Sequence, residues 1–480
     1  MDYDVIIIGC GVIGADCAYE LAKYALRVGI LEASNDVANG TTKANSAIVH
    51  AGYDPLPGTK MARLNVRGSA MMGELCRKLV VPYRNNGSLV VSLSEEDDET
   101  LRELYARGAA NGVPGLRLLT GDEALALEPN LSPGVRGALL APSAGIVNPW
   151  ELCLALAETA VRNGAELRLS APVTAIERIG NGWKLTTPKG CFTARYVINA
   201  AGTRADQIAA MVGDRSFAIK PTKGEYYLLD KSEGGRVDRV IFQCPSKAGK
   251  GVLVTPTVHG NLLVGPDATP TEPENTANTA AGMAFVKASA QRSVPGINFR
   301  DNIRNFAGVR ANSDHEDFIL AESEAAPGFI HAAGIRSPGL SAAPAIGPEV
   351  LELLRQAGLE LNAKAEYTDS RRRIRFHELS EEEKNEMIRK DPRWGRVICR
   401  CETVTEGEIV EALHTPIPPV SVNGVKRRVG AGMGRCQGGF CGPRVQEIIA
   451  RELGLDPTEV LMDWEGTWVL CGETKGGAKA

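Results

Sequence analysis

Residues 5–14 of the chain read VIIIGCGVIG, and they give the clearest indication of how the N-terminal part of the chain folds. The apolar run Val5–Ile8 is typical of a buried parallel strand. Gly9, Gly11 and Gly14 follow in a G-x-G-x-x-G pattern, which allows a tight turn, a close approach of the main chain to a pyrophosphate, and close packing of the next helix. The stretch therefore predicts a strand, a phosphate-binding turn and a helix whose N-terminus faces an anion.

The residues that follow indicate which dinucleotide is bound. A second predicted strand, Val28–Leu31, ends at Glu32. A carboxylate there can accept hydrogen bonds from both ribose hydroxyls and repels a 2′-phosphate, which favours FAD or NAD over NADP. The stretch 40–52 is rich in small and hydroxylic residues and suits a loop lying along a flavin. We therefore expect FAD.

Length and composition narrow the class of protein. A chain of 480 residues predicts roughly two to four folding units. It is 44% hydrophobic and 23% charged, which is ordinary for a globular protein, and its formal net charge of −4 gives no support for nucleic-acid binding. We expect no membrane span, because apolar runs of about 18 residues are absent, and no signal peptide, because the N-terminus is acidic. These features predict a cytoplasmic protein.

The eleven cysteines comprise a scattered set, a cluster near the C-terminus and one isolated residue. An odd number in a chain without a predicted leader argues against a disulfide framework. Six of them are scattered, and we expect them to be small buried apolar residues: Cys10, Cys17, Cys76, Cys153, Cys191 and Cys244. Four others cluster near the C-terminus, and Cys471 stands alone.

The clustered cysteines have a regular spacing. Cys399 and Cys401 form C-x-C, a spacer of 34 residues follows, and Cys436 and Cys441 form C-x₄-C. Four thiolates can bind zinc or an iron–sulfur cluster. Zinc sites more often show C-x₂-C pairs, and the glycines around the second pair leave N–H groups that can bond to sulfur. Residues 405–408 have the pattern of a capping box, which predicts a helix after the first pair.

Taken together, these motifs resemble a known family. From Met1 to about Leu359 they are similar, in the same order, to FAD-dependent oxidoreductases of the D-amino-acid oxidase and glycerol-3-phosphate dehydrogenase superfamily. The cysteine segment resembles the [2Fe–2S] domain of bacterioferritin-associated ferredoxin. Within the superfamily the chain most resembles the anaerobic-type glycerol-3-phosphate dehydrogenase large subunit, and around residues 50–68 it also resembles L-2-hydroxyglutarate dehydrogenases.

The resemblance implies a fold and its boundaries. We expect an α/β FAD-binding Rossmann-like domain with an inserted antiparallel-sheet substrate domain and a small helical [2Fe–2S] domain. The expected boundaries are 1–85, 140–215 and 305–360 for the FAD-binding domain, 86–139 and 216–304 for the substrate domain, 361–394 for a charged linker, 395–455 for the [2Fe–2S] domain, and 456–480 for a tail.

The resemblance also implies which residues contact the two cofactors. The residues expected to hold FAD are Gly9, Gly11, Gly14, Glu32, Thr41, Thr42, Asn45, Ser46, Val173, Ala201, Gly202, Arg336, Gly339 and Leu340. The residues expected to hold the [2Fe–2S] cluster are Cys399, Cys401, Cys436 and Cys441.

The substrate side depends on one arginine and one of several histidines. Arg310 matches the Gly-x-Arg motif with which relatives grip a carboxylate or phosphate, although Ala311 replaces the usual proline. Oxidation of a secondary alcohol also needs a base, and a histidine suits this role near neutral pH. We rank His50 first because it lies in the predicted flavin loop, His259 second, and His315 behind them.

An FAD that takes a hydride and a cluster that takes single electrons favour a dehydrogenase over an oxidase. The resemblance implies oxidation of sn-glycerol 3-phosphate to dihydroxyacetone phosphate. It also implies transfer of electrons through the cluster to a flavoprotein or iron–sulfur partner or to quinone, peripherally at the membrane. Four alternatives stay open: an L-2-hydroxyglutarate or other 2-hydroxy-acid dehydrogenase, an amino- or imino-acid dehydrogenase, an electron-transfer flavoprotein subunit, and a zinc-stabilised regulatory flavoprotein.

Overall fold

The computed structural model describes residues 1–245 and 251–472. The chain divides into two compact units. The first comprises Met1–Leu31 and Ala38–Arg371, and the second comprises Glu32–Val37 together with the chain from Arg372 onward. The second unit thus begins inside the segment predicted as a charged linker and takes in six residues from near the N-terminus.

The secondary-structure elements are numbered in chain order. The helices are α1 (Val12–Leu21), α2 (Lys60–Leu79), α3 (Glu95–Ala110), α4 (Gly121–Leu127), α5 (Pro149–Arg162), α6 (Ala205–Met211), α7 (Ala280–Ser293), α8 (Gly339–Gln356), α9 (Glu381–Lys390), α10 (Glu406–Leu413), α11 (Val422–Val429) and α12 (Gly442–Leu453). The strands are β1 (Tyr3–Ile8), β2 (Val28–Leu31), β3 (Ile48–Val49), β4 (Tyr83–Arg84), β5 (Ser88–Ser92), β6 (Arg117–Thr120), β7 (Gly137–Ala141), β8 (Gly145–Val147), β9 (Glu166–Arg168), β10 (Ala175–Ile179), β11 (Gly182–Thr187), β12 (Gly190–Asn199), β13 (Thr222–Leu229), β14 (Val240–Gln243), β15 (Leu253–Pro256), β16 (Leu262–Gly265), β17 (Thr269–Pro270), β18 (Asn302–Arg310), β19 (Ile319–Glu322), β20 (Phe329–Ala333), β21 (Val397–Cys399) and β22 (Val404–Thr405).

The first sheet of the first unit carries the predicted dinucleotide motif. Its order is β10-β11-β12-β1-β2-β9, with β20 also on β12 and β19 on β20. Strands β12, β1, β2, β9 and β20 run parallel, and β1 is almost completely buried, as its apolar sequence predicts. The long β12 pairs with β11 through its first half and with β20 through its last residues. The expected Rossmann-like arrangement is confirmed.

The second sheet of the first unit is built mostly from the segments predicted to form the substrate domain. Its order is β17-β13-β16-β15-β14-β5-β7-β6. Strands β17 and β16 both pair with one edge of β13, and β18 pairs with its other edge. Helix α7 packs on this sheet through apolar side chains such as Val286. We expected an antiparallel sheet, but one pair of neighbouring strands, β5 and β14, runs parallel. These two strands come from the two separate segments that build the domain. The sheet places Arg310, at the end of β18, beside the start of β13.

The second unit is a small helical fold. Helices α10, α11 and α12 surround a core that includes Ile409, Val425 and Ile449. Thr405 and Glu408 form the predicted capping box, with the Thr405 side chain accepting from the Glu408 N–H and the Glu408 side chain accepting from the Thr405 N–H. Residues beyond 455 contribute to this fold, because Leu461 bridges to both Ser421 and Trp468.

A buried ion-pair network completes the second unit. Arg428 is 2% exposed and donates to both carboxylate oxygens of Asp36, at 2.8 and 2.9 Å. Arg427 donates to the same carboxylate at 3.2 Å. The two guanidinium charges lower the pKa of Asp36, although its burial alone would raise it. The segment 32–37 is therefore an integral part of the second unit.

Two further findings concern sequence predictions. Cys10, Cys17, Cys76, Cys153 and Cys244 are buried as expected, but Cys191 is exposed, because it lies at the start of β12 next to the hairpin turn with β11. Among the residues that the structure describes, every helix is too short or too polar to span a lipid bilayer.

Candidate functional site

The glycine turn after β1 has the shape that a pyrophosphate requires. Gly9 has a φ of +96°, and a Cβ there would lie 2.6 Å from the Ala200 carbonyl oxygen. A Cβ on Gly14 would collide with the carbonyl oxygen of Gly9, so α1 packs directly on the turn. A Cβ on Gly11 would meet only the Thr42 hydroxyl, at 3.3 Å. Gly9 and Gly14 are thus needed by the fold, whereas Gly11 leaves an approach open to a ligand.

The loop predicted to lie along the flavin is held by its own polar side chains. The Thr42 hydroxyl accepts from the Val12 N–H at 3.0 Å, at the N-terminus of α1. Thr41 donates to the Val309 carbonyl at 2.6 Å. Asn45 donates to the Thr42 carbonyl at 2.8 Å and accepts from the Ala47 N–H at 2.8 Å. These contacts order the loop beside α1 and β18.

The other predicted FAD residues are dispersed around the first sheet. Ala201 and Gly202 follow β12, and Gly202 has a φ of +58°. Val173 is half-buried against the core beneath β12. Glu32 directly follows β2, and its carboxylate accepts from the Ser34 N–H at 2.8 Å. The FAD-contact roles of these residues remain predictions from sequence.

A cavity of ≈ 250 Å³ in the first unit brings two predicted substrate residues, His50 and Arg310, together with two predicted FAD residues, Ser46 and Arg336. His50, Arg310, Arg336 and Ser46 line it, so residues from three separate segments converge there. Apolar side chains, among them Tyr53, Tyr226 and Phe242, form much of the remaining wall. Polar groups that converge in an apolar cavity are typical of a small-molecule site.

His50 is fixed through its main chain. Its N–H donates to the Ser341 hydroxyl at 2.7 Å, and its carbonyl accepts from Asn65 Nδ2 at 2.6 Å. Its ring lies 5.6 Å from that of Phe242, and its Nε2 is 3.4 Å from the Ser337 hydroxyl. The imidazole is therefore held at the cavity wall by helices α2 and α8.

The two cavity arginines are placed by glycines and main-chain oxygens. Arg310 donates to the main-chain oxygen of Asp267 at 3.3 Å, and a Cβ on Gly224 would collide with its guanidinium. Arg336 donates to the Glu316 carbonyl at 2.7 Å. Each guanidinium thus donates one hydrogen bond to a main-chain oxygen. Arg310 lines the cavity from the end of β18, and Arg336 lines it from the turn before α8.

The remaining predicted histidines lie elsewhere. His259 is exposed and contacts Asn148, the residue that caps α5, at 3.0 Å. His315 is exposed, and its Nε2 is 3.1 Å from the Ser216 carbonyl oxygen. Neither is among the residues that line the cavity within the described part of the chain. Of the three histidines, the geometry brings His50 to Arg310.

The cavity also contains residues that the sequence did not indicate. Asp267 is 6% exposed, and burial raises the pKa of its carboxyl. Burial likewise raises the pKa of Tyr226, which stacks on Phe306 at 4.8 Å. The sequence gives no local signal for a buried tyrosine or carboxyl beside an arginine. These side chains come together because strands that lie far apart in the chain are neighbours in the sheet.

The four clustered cysteines lie as two pairs. Cys401 Sγ is 3.7 Å from Cys436 Sγ, and Cys399 hydrogen-bonds with Cys441. That bond lowers the pKa of Cys399 to about 6. The N–H of Phe440, followed by those of Gly438 and Gly439, lowers the pKa of Cys436, as the glycine-rich sequence predicts. Two pairs of thiols with main-chain donors fit an iron–sulfur cluster with two irons.

Comparison with known proteins agrees with this geometry. A family described as FAD dependent oxidoreductase matches residues 4–353, and a BFD-like [2Fe-2S] binding domain matches residues 397–451. A glycerol 3-phosphate dehydrogenase of Caloramator mitchellensis is 51% identical over 98% of this chain and 99% of its own. A glycerol 3-phosphate oxidase of Mycoplasma genitalium is 32% identical over 73% of this chain and 94% of its own.

A solved structure shares the fold of the first unit. The dithionite-reduced L-alpha-glycerophosphate oxidase of Mycoplasma pneumoniae, with FAD bound, covers 77% of this chain and 98% of its own, at 30% identity and a TM-score of 0.73. The expected cofactors, FAD and a [2Fe–2S] cluster, are confirmed by these matches. The chain belongs to the family of FAD dependent oxidoreductases and carries a BFD-like [2Fe-2S] binding domain.

Proposed function

We propose that this enzyme oxidises sn-glycerol 3-phosphate to dihydroxyacetone phosphate and sends the electrons through its [2Fe–2S] cluster to a partner protein. The convergence of His50, Arg310 and Arg336 on one cavity is the observation that carries the substrate assignment. The relatives whose names specify glycerol 3-phosphate support it, the first of them over nearly the whole chain.

The two arginines are suited to a phosphate. A phosphate dianion offers three oxygens, and guanidinium groups bind such oxyanions through parallel charge-assisted hydrogen bonds. Arg310 and Arg336 approach from β18 and from the turn before α8, so they can bind different oxygens of one group. In this proposal they fix the phosphate, and the apolar wall that contains Phe242 and Tyr226 excludes water from the carbon chain.

His50 is the proposed base. When bound, FAD supplies the hydride acceptor for the secondary carbon. The hydroxyl proton has to leave as the carbon–oxygen bond becomes a carbonyl, and His50 Nε2 receives it in this proposal. The hydrogen bonds from Asn65 and to Ser341 hold the main chain of His50 and keep its imidazole at the cavity wall.

An anaerobic absorbance titration tests the substrate. The purified enzyme is titrated with sn-glycerol 3-phosphate, and in parallel with L-2-hydroxyglutarate and with glycine and L-proline. Bleaching near the flavin maximum by glycerol phosphate alone supports the proposal. Bleaching by the hydroxy acid alone, or by an amino acid alone, contradicts it in favour of that substrate class. Bleaching by none of them favours a flavin reduced by a partner protein.

The electron route has a separate test. After reduction by the substrate, the sample is frozen and examined by electron paramagnetic resonance. A signal from a reduced [2Fe–2S] cluster, formed at the rate of flavin reoxidation, supports transfer through the cluster. A cluster that stays oxidised while the flavin is reduced contradicts this route.

A further inference from the structure

An aromatic side chain protrudes next to the cluster cysteines. Phe440 is 87% exposed, the largest exposed fraction among the large apolar residues that the structure describes. It directly precedes Cys441, and its N–H is directed at the Cys436 sulfur. The loop that donates to a cluster sulfur therefore presents a large apolar ring to the solvent. An exposed ring of this kind is a common anchor in protein–protein interfaces.

The two cysteine pairs differ in their access to the surface. Cys399 and Cys441 are 1% and 2% exposed, whereas Cys401 is exposed and Cys436 is half-buried. The pair Cys401 and Cys436 therefore marks the solvent side of the cluster site. Phe440 lies in the same loop as Cys436, so the ring and the accessible cysteine pair face the same surroundings.

This surface carries positive charge. Arg400 directly precedes Cys401 and Arg435 directly precedes Cys436, and both arginines are exposed. Since the sulfurs of Cys401 and Cys436 are 3.7 Å apart, the two arginines belong to one rim. The cysteine loops 399–402 and 434–444 together contain three arginines and one glutamate, and Arg444 is paired with Glu447 at 2.8 Å, so the positive charge of this rim comes from Arg400 and Arg435. A partner that docks here is favoured if its own surface is acidic.

We propose that Phe440, Arg400 and Arg435 form the docking surface for an acidic one-electron carrier protein. This inference rests on the proposed route through the cluster. The Phe440 ring inserts into an apolar recess of the carrier, and the two arginines face carboxylates around that recess. One electron then passes from the reduced cluster to the carrier, which leaves the cluster oxidised by one electron and the carrier reduced by one.

The test measures electron transfer to an acidic haem protein. The holoenzyme is reduced with stoichiometric dithionite and mixed by stopped flow with the soluble cytochrome b5 domain, whose haem edge is surrounded by carboxylates. We expect a second-order rate constant that falls steeply as salt is raised. Phe440→Ala should lower that constant about tenfold, and Arg435→Gln about as much. Phe285→Ala is the matched control, because Phe285 is a 53% exposed phenylalanine of the first unit.

The design separates docking from damage to the cluster. Phe440→Ala keeps the main-chain N–H that faces Cys436, so the resonance signal of the reduced cluster should not change. Phe440→Leu, which retains an apolar side chain, should recover part of the rate. A rate constant that does not change with salt concentration and is equal in wild type, Phe440→Ala and Phe285→Ala would overturn the proposal. Because dithionite supplies the electrons, failure of glycerol phosphate as a substrate leaves this test intact.

Discussion

Asn65 is completely buried in α2, and its Nδ2 donates a hydrogen bond of 2.6 Å to the main-chain oxygen of His50. The bond joins the helix to the loop that carries the proposed base. Asn65 is a positioning residue, since its own side chain does not line the cavity.

Asn65→Ala should misplace the imidazole and lower kcat. We expect a fall of about fivefold, because a lost hydrogen bond of this kind is worth about 1 kcal/mol. KM for glycerol phosphate should stay unchanged, since the arginines are untouched. Asn163→Ala is the control, because Asn163 also bonds to main-chain oxygens, at the end of α5. A change in KM alone would contradict the positioning role.

Arg310→Leu should weaken substrate binding. Loss of a charge-assisted contact costs about 1.5–3 kcal/mol, so KM for glycerol phosphate should rise about 10- to 100-fold. Arg304→Leu, on the same strand but exposed, is the matched control. Gly224→Ala should imitate the effect, because a Cβ there would collide with the Arg310 guanidinium. Equal KM values for Arg310→Leu and Arg304→Leu would rule out the proposed phosphate contact.

Gly11→Ala should remove FAD while leaving the fold intact. The added Cβ would meet only the Thr42 hydroxyl, at 3.3 Å, so the protein should fold. The same atom would occupy the space through which a pyrophosphate approaches α1. The flavin absorbance per chain should therefore fall sharply, with an unchanged far-ultraviolet circular dichroism spectrum. Gly235→Ala, at a position with no neighbouring atom within 4 Å, should keep its flavin.

Cys436→Ser should remove the cluster and spare the flavin. Iron, acid-labile sulfide and the resonance signal should all be lost, because Cys436 is one of the four predicted ligands of the two irons. Cys191→Ser is the control, since Cys191 is exposed and lies in the first unit. The wild-type protein should contain two irons and two sulfides per chain. Stoichiometric zinc without sulfide would contradict the cluster assignment.

Asp16→Asn should stabilise the protein at neutral pH. Burial, and then the charge of Glu20, raises the pKa of Asp16 well above its usual value of 3.8. A raised pKa in the folded state means that stability is lost as pH rises from below 3.8 through that pKa. The asparagine can still accept from the Gly347 N–H, which now bonds to Asp16 at 2.7 Å. We expect a gain on the order of 1–3 kcal/mol in the free energy of unfolding at pH 7.

Urea unfolding at several pH values measures this gain. The difference between the variant and the wild type should shrink as the pH falls towards and below 3.8, where the wild-type carboxyl becomes protonated in the unfolded state as well as in the folded one. A difference that is independent of pH would show that the charge of Asp16 is not its cause.

Local sequence patterns predicted the elements whose contacts are close along the chain. The strand, turn and helix at residues 3–21 follow from apolar residues and glycines that lie side by side in sequence. The capping box of Thr405 and Glu408 was readable for the same reason. The cluster site could be predicted because the spacing of the four cysteines is itself typical of a metal or iron–sulfur site.

Contacts between segments that are distant in the chain could not be predicted from the sequence. No periodicity relates Asn65 to His50, or Gly224 to Arg310, since each contact depends on how helices and strands pack. The sequence ranks His50 ahead of His259 and His315 only by its place in the predicted flavin loop, and the fold shows that His50, among these three, lines the cavity with Arg310. The exposure of Cys191 was missed because it follows from the position of that residue beside a hairpin turn.

The Asp36–Arg428 contact joins residues that are 392 positions apart in the chain. The segment 32–37 leaves the ribosome long before the helices that it completes, so the second unit cannot finish folding as an independent last domain. A fragment that begins at Arg372 would bury Arg427 and Arg428 without their shared carboxylate, at a cost of about 3–5 kcal/mol. The [2Fe–2S] domain therefore cannot be grafted onto another dehydrogenase as a simple C-terminal extension, since the recipient must also supply an acidic segment after its second strand.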